Sequence, residues 1–150
     1  MVENQRSIII LMADDDDDDR LMAREALEEA RCINDFRTVT NGEELLDYLN
    51  HRGKFSDPAS SPAPGLIILD LNMPKKDGRE ALREIKADPR LRRIPIVVLT
   101  TSKAEEDVLR TYNLGVNSFI IKPVTFEQLV ETMKSLALYW FQIVALPENG

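Results

Sequence analysis

The stretch LIILDLNMPKKDG, residues 66–78, decides the fold. Its opening residues are continuously apolar and rich in isoleucine, the composition of a strand covered on both faces rather than one that alternates. The pattern breaks at Asp70, after which Pro74 and Gly78 forbid any further ladder. From about Arg79 to Ala87, Leu82 and Ile85 then recur at helical spacing. The segment is therefore a strand that ends on a carboxylate, followed by a turn and a helix.

The same unit repeats on both sides. SIIILMA (7–13) is another buried strand, followed by a helix whose stripe is Leu21, Met22, Ala26, Leu27 and Ala30, reaching about Arg31. FRTVT (36–40) reads as a weaker strand nearer an edge. Asn41 caps a helix carrying Leu45, Leu46 and Leu49, which Gly53 ends. Residues 53–65 hold three prolines and three serines and read as a long surface loop. Beyond the quoted stretch come the strand IVVLT (96–100), a helix over Lys103 to Tyr112, the strand SFIIK (118–122), and a last helix capped by Thr125 and continuing to about Val144. Five successive β-α units predict a single α/β domain, a doubly wound parallel sheet of five strands with helices on both faces.

Composition narrows the function. The 150 residues carry 19 Lys and Arg against 26 Asp and Glu, a net charge of −7; without the run Asp14 to Asp19 it would be −1. The acidity is local. A chain without a basic excess lacks the footprint for nucleic acid, and no apolar stretch reaches the roughly 18–20 residues that span a bilayer. The lone Cys32 forms no internal disulfide, so a cytoplasmic location is expected. His51, the single histidine, is expected at the surface, which removes hydrolase triads and zinc sites. Residues 75–93 carry a net +4, read as a solvated helix face.

In doubly wound sheets, ligands sit beyond the carboxyl ends of the strands. The polar residues there are Asp14 and Asp15, Asp70, Thr100 and Lys122. Three carboxylates in one cleft repel one another unless a cation intervenes. Mg2+ suits a partly hydrated site of this kind. A metal-neutralised carboxylate beside a lysine and a threonine is a phosphoryl acceptor, and Asp70 lies centrally enough to be the nucleophile. Asp17, Asp18 and Asp19 suit the positive end of a helix dipole, and Asp16 has no assigned role. A calcium loop through Asp14, Asp16, Asp18, Leu21 and Glu25 is disfavoured because Asp19 stands where that loop needs glycine and a strand rather than a helix precedes it.

ILMADDDDDDR, LIILDLNMPKKDG, IVVLTTS and SFIIKPV, in that order, resemble the receiver domain of two-component response regulators over about residues 7–138. The resemblance implies a flavodoxin-like (βα)5 fold with strand order 2-1-3-4-5. It implies that a sensor histidine kinase passes a phosphoryl group from phosphohistidine to Asp70. It also implies Mg2+ (or Mn2+) held by Asp14, Asp15, Asp70 and the backbone carbonyl of Asn72. Thr100 and Lys122 would bind the phosphoryl group, and Phe119 would be the switch aromatic. Pro123 would follow a cis peptide bond, which only X–Pro bonds adopt cheaply. The output would be a change in the face formed by the fourth helix, fifth strand and fifth helix, and the domain would promote its own phosphorylation and dephosphorylation rather than act as an enzyme. Thr101, where the family has a smaller residue, narrows access to the phosphoryl group, and Phe119 lacks the hydroxyl of the commoner tyrosine.

An aspartate-nucleophile phosphatase of the haloacid-dehalogenase type shares this chemistry, but it needs a general acid where Asn72 stands. At the other end of the chain, LALYWFQIVALP is more apolar than one buried face requires. Its ending resembles the single-domain regulators paired with bacterial phytochromes. A homodimer is expected through Leu138, Tyr139, Trp140, Phe141, Ile143 and Leu146, with residues 138–150 as a dimerisation tail and no output domain. Signalling would then pass through protein contact or onward phosphotransfer.

Overall fold

The computed structural model describes residues 9–29, 35–71, 73, 75–100, 118–121 and 125–136. Five strands, β1 (Ile9–Ala13), β2 (Asp35–Val39), β3 (Leu66–Leu69), β4 (Ile96–Thr100) and β5 (Ser118–Ile121), form one parallel sheet in the order β2-β1-β3-β4-β5. The described helices are α1 (Asp17–Glu29), α2 (Gly42–Leu49), α3 (Gly78–Ala87) and a C-terminal helix, Phe126–Leu136. The expected helix over 103–112, the Lys122–Pro123 bond and the tail from Leu138 onward lie outside the described residues.

Alternation along each strand divides the apolar runs between two cores. Leu11, Ala13, Ile67, Leu69, Ile96 and Val98 pack against α2 and α3 through Leu45, Leu46, Ala81, Leu82 and Ile85. Ile10, Met12, Leu66, Ile68, Val97 and Leu99 pack on the opposite side against Ala23, Ala26 and Leu27 of α1 and Leu129, Val130, Met133 and Leu136 of the C-terminal helix. This two-sided burial is why the strands read as unbroken apolar runs. β2 has only one neighbouring strand, and its less apolar sequence is half-exposed.

Some helix details differ from the sequence expectation. Leu21 is 53% exposed rather than part of the α1 stripe. The buried face is Ala23, Ala26 and Leu27, at i, i+3 and i+4, and Leu21 lies well off it. α2 ends at Leu49 with Asn50 as its C-cap, earlier than Gly53, which opens a short 3-10 turn at φ +59°. The segment after α2 is the mostly exposed loop expected, and it is tied down near its far end. The Tyr48 hydroxyl donates to the Pro62 carbonyl at 2.8 Å, His51 Nε2 lies 2.9 Å from the Ser61 carbonyl, and Ser61 is buried. His51 is accordingly half-buried, not a surface residue.

The start of α2 is held from two directions. Asn41 Oδ1 accepts from the Glu44 N–H at 2.8 Å, and the Glu44 carboxylate accepts from the Thr40 N–H at 2.6 Å and the Thr40 hydroxyl at 3.0 Å. Burial pushes the Glu44 carboxyl up, but Lys54 at 2.8 Å and the two Thr40 bonds outweigh burial and hold it below its ordinary value. A carboxyl depressed in the folded state contributes its stability above the unfolded carboxyl's range and loses it as pH falls through the folded value. Glu44→Gln should therefore cost about 1 kcal/mol at pH 7, and the difference from wild type should close as urea unfolding is repeated at falling pH.

Candidate functional site

The ladder continues one residue beyond β1 and β3. The Asp14 N–H donates to the Val39 carbonyl at 3.1 Å, and the Asp70 N–H donates to the Ala13 carbonyl at 3.0 Å. Because Ala13 pairs with Leu69, Asp14 and Asp70 leave adjacent strands at the same level of the sheet. Both are buried, while Asp15 is exposed. One carboxylate oxygen from each of Asp14, Asp15 and Asp70 can be chosen so that all lie within 4.8 Å of one another. Two ligands of a cation bound at about 2.1 Å stand about 3–4 Å apart. The three acids thus need only small side-chain adjustments to share one hard divalent ion.

The backbone around the cluster fixes it closely. Asp14 Oδ1 accepts from the Asp16 N–H at 3.0 Å, turning the chain immediately after β1. On the β3 side, the Gly78 N–H donates to the Leu71 carbonyl at 2.9 Å, folding the loop back to the strand. A Cβ at Gly78 would meet the Asp70 carbonyl oxygen at 2.3 Å and the Leu71 Cα at 2.7 Å, so only glycine permits this closeness. Asp77 caps α3 by accepting from the Arg79 and Glu80 N–H groups, and the Glu80 carboxylate accepts from the Asp77 N–H, a complete capping box.

Two participants were not anticipated from the sequence. Asp16 Oδ1 accepts from the Asp18 N–H at 2.8 Å and from the Asp19 N–H at 3.2 Å, while its carbonyl accepts from Arg20. It is the N-terminal cap of α1, and its place directly before a helical stripe was the available signal. Asp17, Asp18 and Asp19 then form an acidic first turn, as expected, and a helix beginning at Asp17 removes the calcium-loop reading. Arg20 is the second. Its guanidinium donates to the Asp14 carbonyl at 2.6 Å and pairs with Asp17, with a side chain only 16% exposed. A cation in a helix's first turn is disfavoured by the dipole, so its presence there pointed to a local partner.

Thr100 ends β4 and Phe119 lies in β5, with Val98 paired to Phe119 and Thr100 to Ile121. For both residues the backbone is the described part. Asn72, Lys122 and Pro123 lie outside the described residues. The basic segment 75–93 is partly self-paired, through Lys76 with Glu84, Arg79 with Asp77, and Arg90 with Asp88. The Glu84 carboxylate raises the Lys76 ammonium above its ordinary value.

A carboxylate cluster at the carboxyl end of a 2-1-3-4-5 sheet can be compared with known proteins. Residues 10–134 match the family described as the response regulator receiver domain. The chain belongs to this family. It is a receiver of two-component signalling, a kind of domain phosphorylated on an aspartate. Response regulator Rcp1 of Synechocystis is 39% identical over 126 residues, 84% of each chain. Among solved structures, the Mn2+-bound form of Rcp1 superposes with a TM-score of 0.83 at 38% identity, covering 93% of this chain and 99% of that one. The phosphorylated cyanobacterial phytochrome response regulator RcpA superposes with a TM-score of 0.83 at 40% identity, covering 90% and 94%. A response regulator in red light signalling of R. palustris, RPA3017, gives 0.84 at 34% identity, covering 89% and 93%. Among the described residues, no helix is long and apolar enough to cross a membrane.

The roles given to neighbouring aspartates make distinct stability predictions. Asp16→Ala removes a two-bond cap and should lower the free energy of unfolding by about 1 kcal/mol. Asp18→Ala loses only a charge near the helix start, about 0.3–1 kcal/mol that fades in high salt. Urea unfolding at low and high ionic strength separates the two, since the cap's contribution persists in salt.

Proposed function

We propose that this receiver takes a phosphoryl group from a kinase phosphohistidine onto Asp70. An Asp70 carboxylate oxygen attacks phosphorus, the phosphorus–nitrogen bond breaks, and the imidazole nitrogen that leaves is free to take a proton. Mg2+ (or Mn2+), when bound, neutralises the acids and stabilises charge spreading over the transferred group. Asp15 and Asp70 would ligate it directly, Asp14 through water, and Asn72 through its backbone carbonyl. The observation that carries this reading is the convergence of Asp14, Asp15 and Asp70 within 4.8 Å at the strands' carboxyl ends. Two carboxylates buried side by side gain from a positive charge placed between them, which a divalent cation supplies.

Thr100 and Lys122 supply a hydroxyl and an ammonium for the phosphoryl oxygens, and Phe119 reports its presence to the face formed by β5 and the helices beside it. Pro123 keeps the turn after Lys122 in a cis bond. The domain promotes its own phosphorylation and hydrolysis. The phosphatase alternative fails for want of a general acid, since residue 72 is asparagine. The relatives named for phytochrome and red-light signalling support a photoreceptor histidine kinase as the donor. The apolar segment containing Leu138, Tyr139, Trp140, Phe141, Ile143 and Leu146 supports a homodimer. We take the protein to be a cytoplasmic regulator in which residues 1–150 form one receiver and its dimerisation tail, with output by protein contact or onward phosphotransfer.

Incubation with a small phosphodonor and Mg2+ should add one phosphoryl group to the wild type. Asp70→Asn should not be labelled, and a chelator should suppress labelling of the wild type. Equal labelling of both proteins, read by intact-mass spectrometry, would refute the assignment.

A further inference from the structure

We infer that Gly42, on a helix that contributes no acid to the cluster, is a positioning residue for the loop that leaves Asp70. The inference rests on the metal-assisted phosphoacceptor reading above and deepens it. The Gly42 N–H donates to the Lys76 carbonyl at 2.8 Å, linking the first residue of α2 to the loop between β3 and α3. A Cβ at Gly42 would lie 2.1 Å from the Lys76 carbonyl oxygen, 2.9 Å from its carbon and 3.1 Å from the Asp77 oxygen. These are all backbone atoms, so no side-chain rotation relieves the clash. Any residue but glycine must push the loop away from α2.

Neither side of this contact can yield easily. On one side, α2 is fixed by the Asn41 and Glu44 caps and by the burial of Leu45, Leu46 and Leu49. On the other, the loop is pinned at Gly78 by its bond to Leu71, and Asp77 is committed to the α3 capping box. Between these points Lys75 adopts φ +62°, a left-handed conformation that a lysine does not choose unaided. The buried Leu71 and Met73 anchor the loop inward. A displacement of Lys76 is therefore passed to the neighbouring Gly78, whose N–H holds the Leu71 carbonyl and which packs against the Asp70 carbonyl, and so to the backbone that carries Asp70. Gly42 holds the loop in the geometry that completes the cation site.

Thermodynamic reciprocity supplies the test. If the Gly42–Lys76 bond favours cation binding, a bound cation must strengthen that bond. Gly42→Ala should fold, bind Mg2+ about ten-fold more weakly than wild type by calorimetric titration, and recover its phosphodonor labelling rate at saturating Mg2+. Gly53→Ala, a glycine at positive φ with no atom within 4 Å of the added carbon, should strain its turn yet leave Mg2+ affinity within about two-fold. A Gly42→Ala protein that loses stability but keeps wild-type Mg2+ affinity would overturn the inference. Should that variant not fold, amide exchange in the wild type decides. Saturating Mg2+ should slow exchange of the Gly42 amide at least several-fold, and an unchanged rate would overturn the inference. A wild type that neither binds Mg2+ nor is labelled would instead sink the underlying phosphoacceptor reading.

Discussion

In the parallel ladder between β1 and β3, Ala13 stands opposite Leu69, and the Asp70 N–H closes the next rung on the Ala13 carbonyl. The chain consequently has no freedom over where Asp14 and Asp70 emerge. They leave the sheet side by side, buried, with like charges facing one cleft. A one-residue slip in register would turn one of them into an apolar core and expose a strand residue in its place. The crowding of carboxylates is thus built in by backbone pairing, and a divalent cation would relieve it.

The rest of the fold keeps that edge in place. Two apolar cores grip the sheet from opposite sides, so neither strand can shift along the other without disturbing helices on both faces. Caps at Asp16, Asn41 and Asp77 start three helices at the same edge, each side chain accepting from backbone N–H groups of its helix. Beside them the Arg20 guanidinium lies along the Asp14 backbone. Close backbone approaches at Gly42 and Gly78 then determine how the loop after Asp70 runs.

Much of this was legible in the sequence, because the signals were those of period and punctuation. Unbroken apolar runs ending in acids identified the buried strands and the functional edge, and the resemblance of four motifs supplied strand order. Less legible were features that depend on which neighbour a residue meets. Leu21 shares an apolar character with Ala23 but not its direction, and a run of six aspartates conceals which one caps a helix. His51 looked like a surface residue because its partner, the Ser61 carbonyl, comes from a loop whose path no local pattern dictates. Gly42 resembled an ordinary residue of a helix start, and only the approach of the Lys76 carbonyl shows why a side chain is excluded.

If Asp14, Asp15 and Asp70, and not the remainder of the aspartate run, form the cation site at the sheet edge, anomalous scattering from crystals grown with Mn2+ will locate it. One strong peak is expected within ligand distance of the Asp15 and Asp70 carboxylates, with Asp14 beside it. A peak confined to Asp17, Asp18 or Asp19, or no peak at the end of β1 and β3, would contradict it.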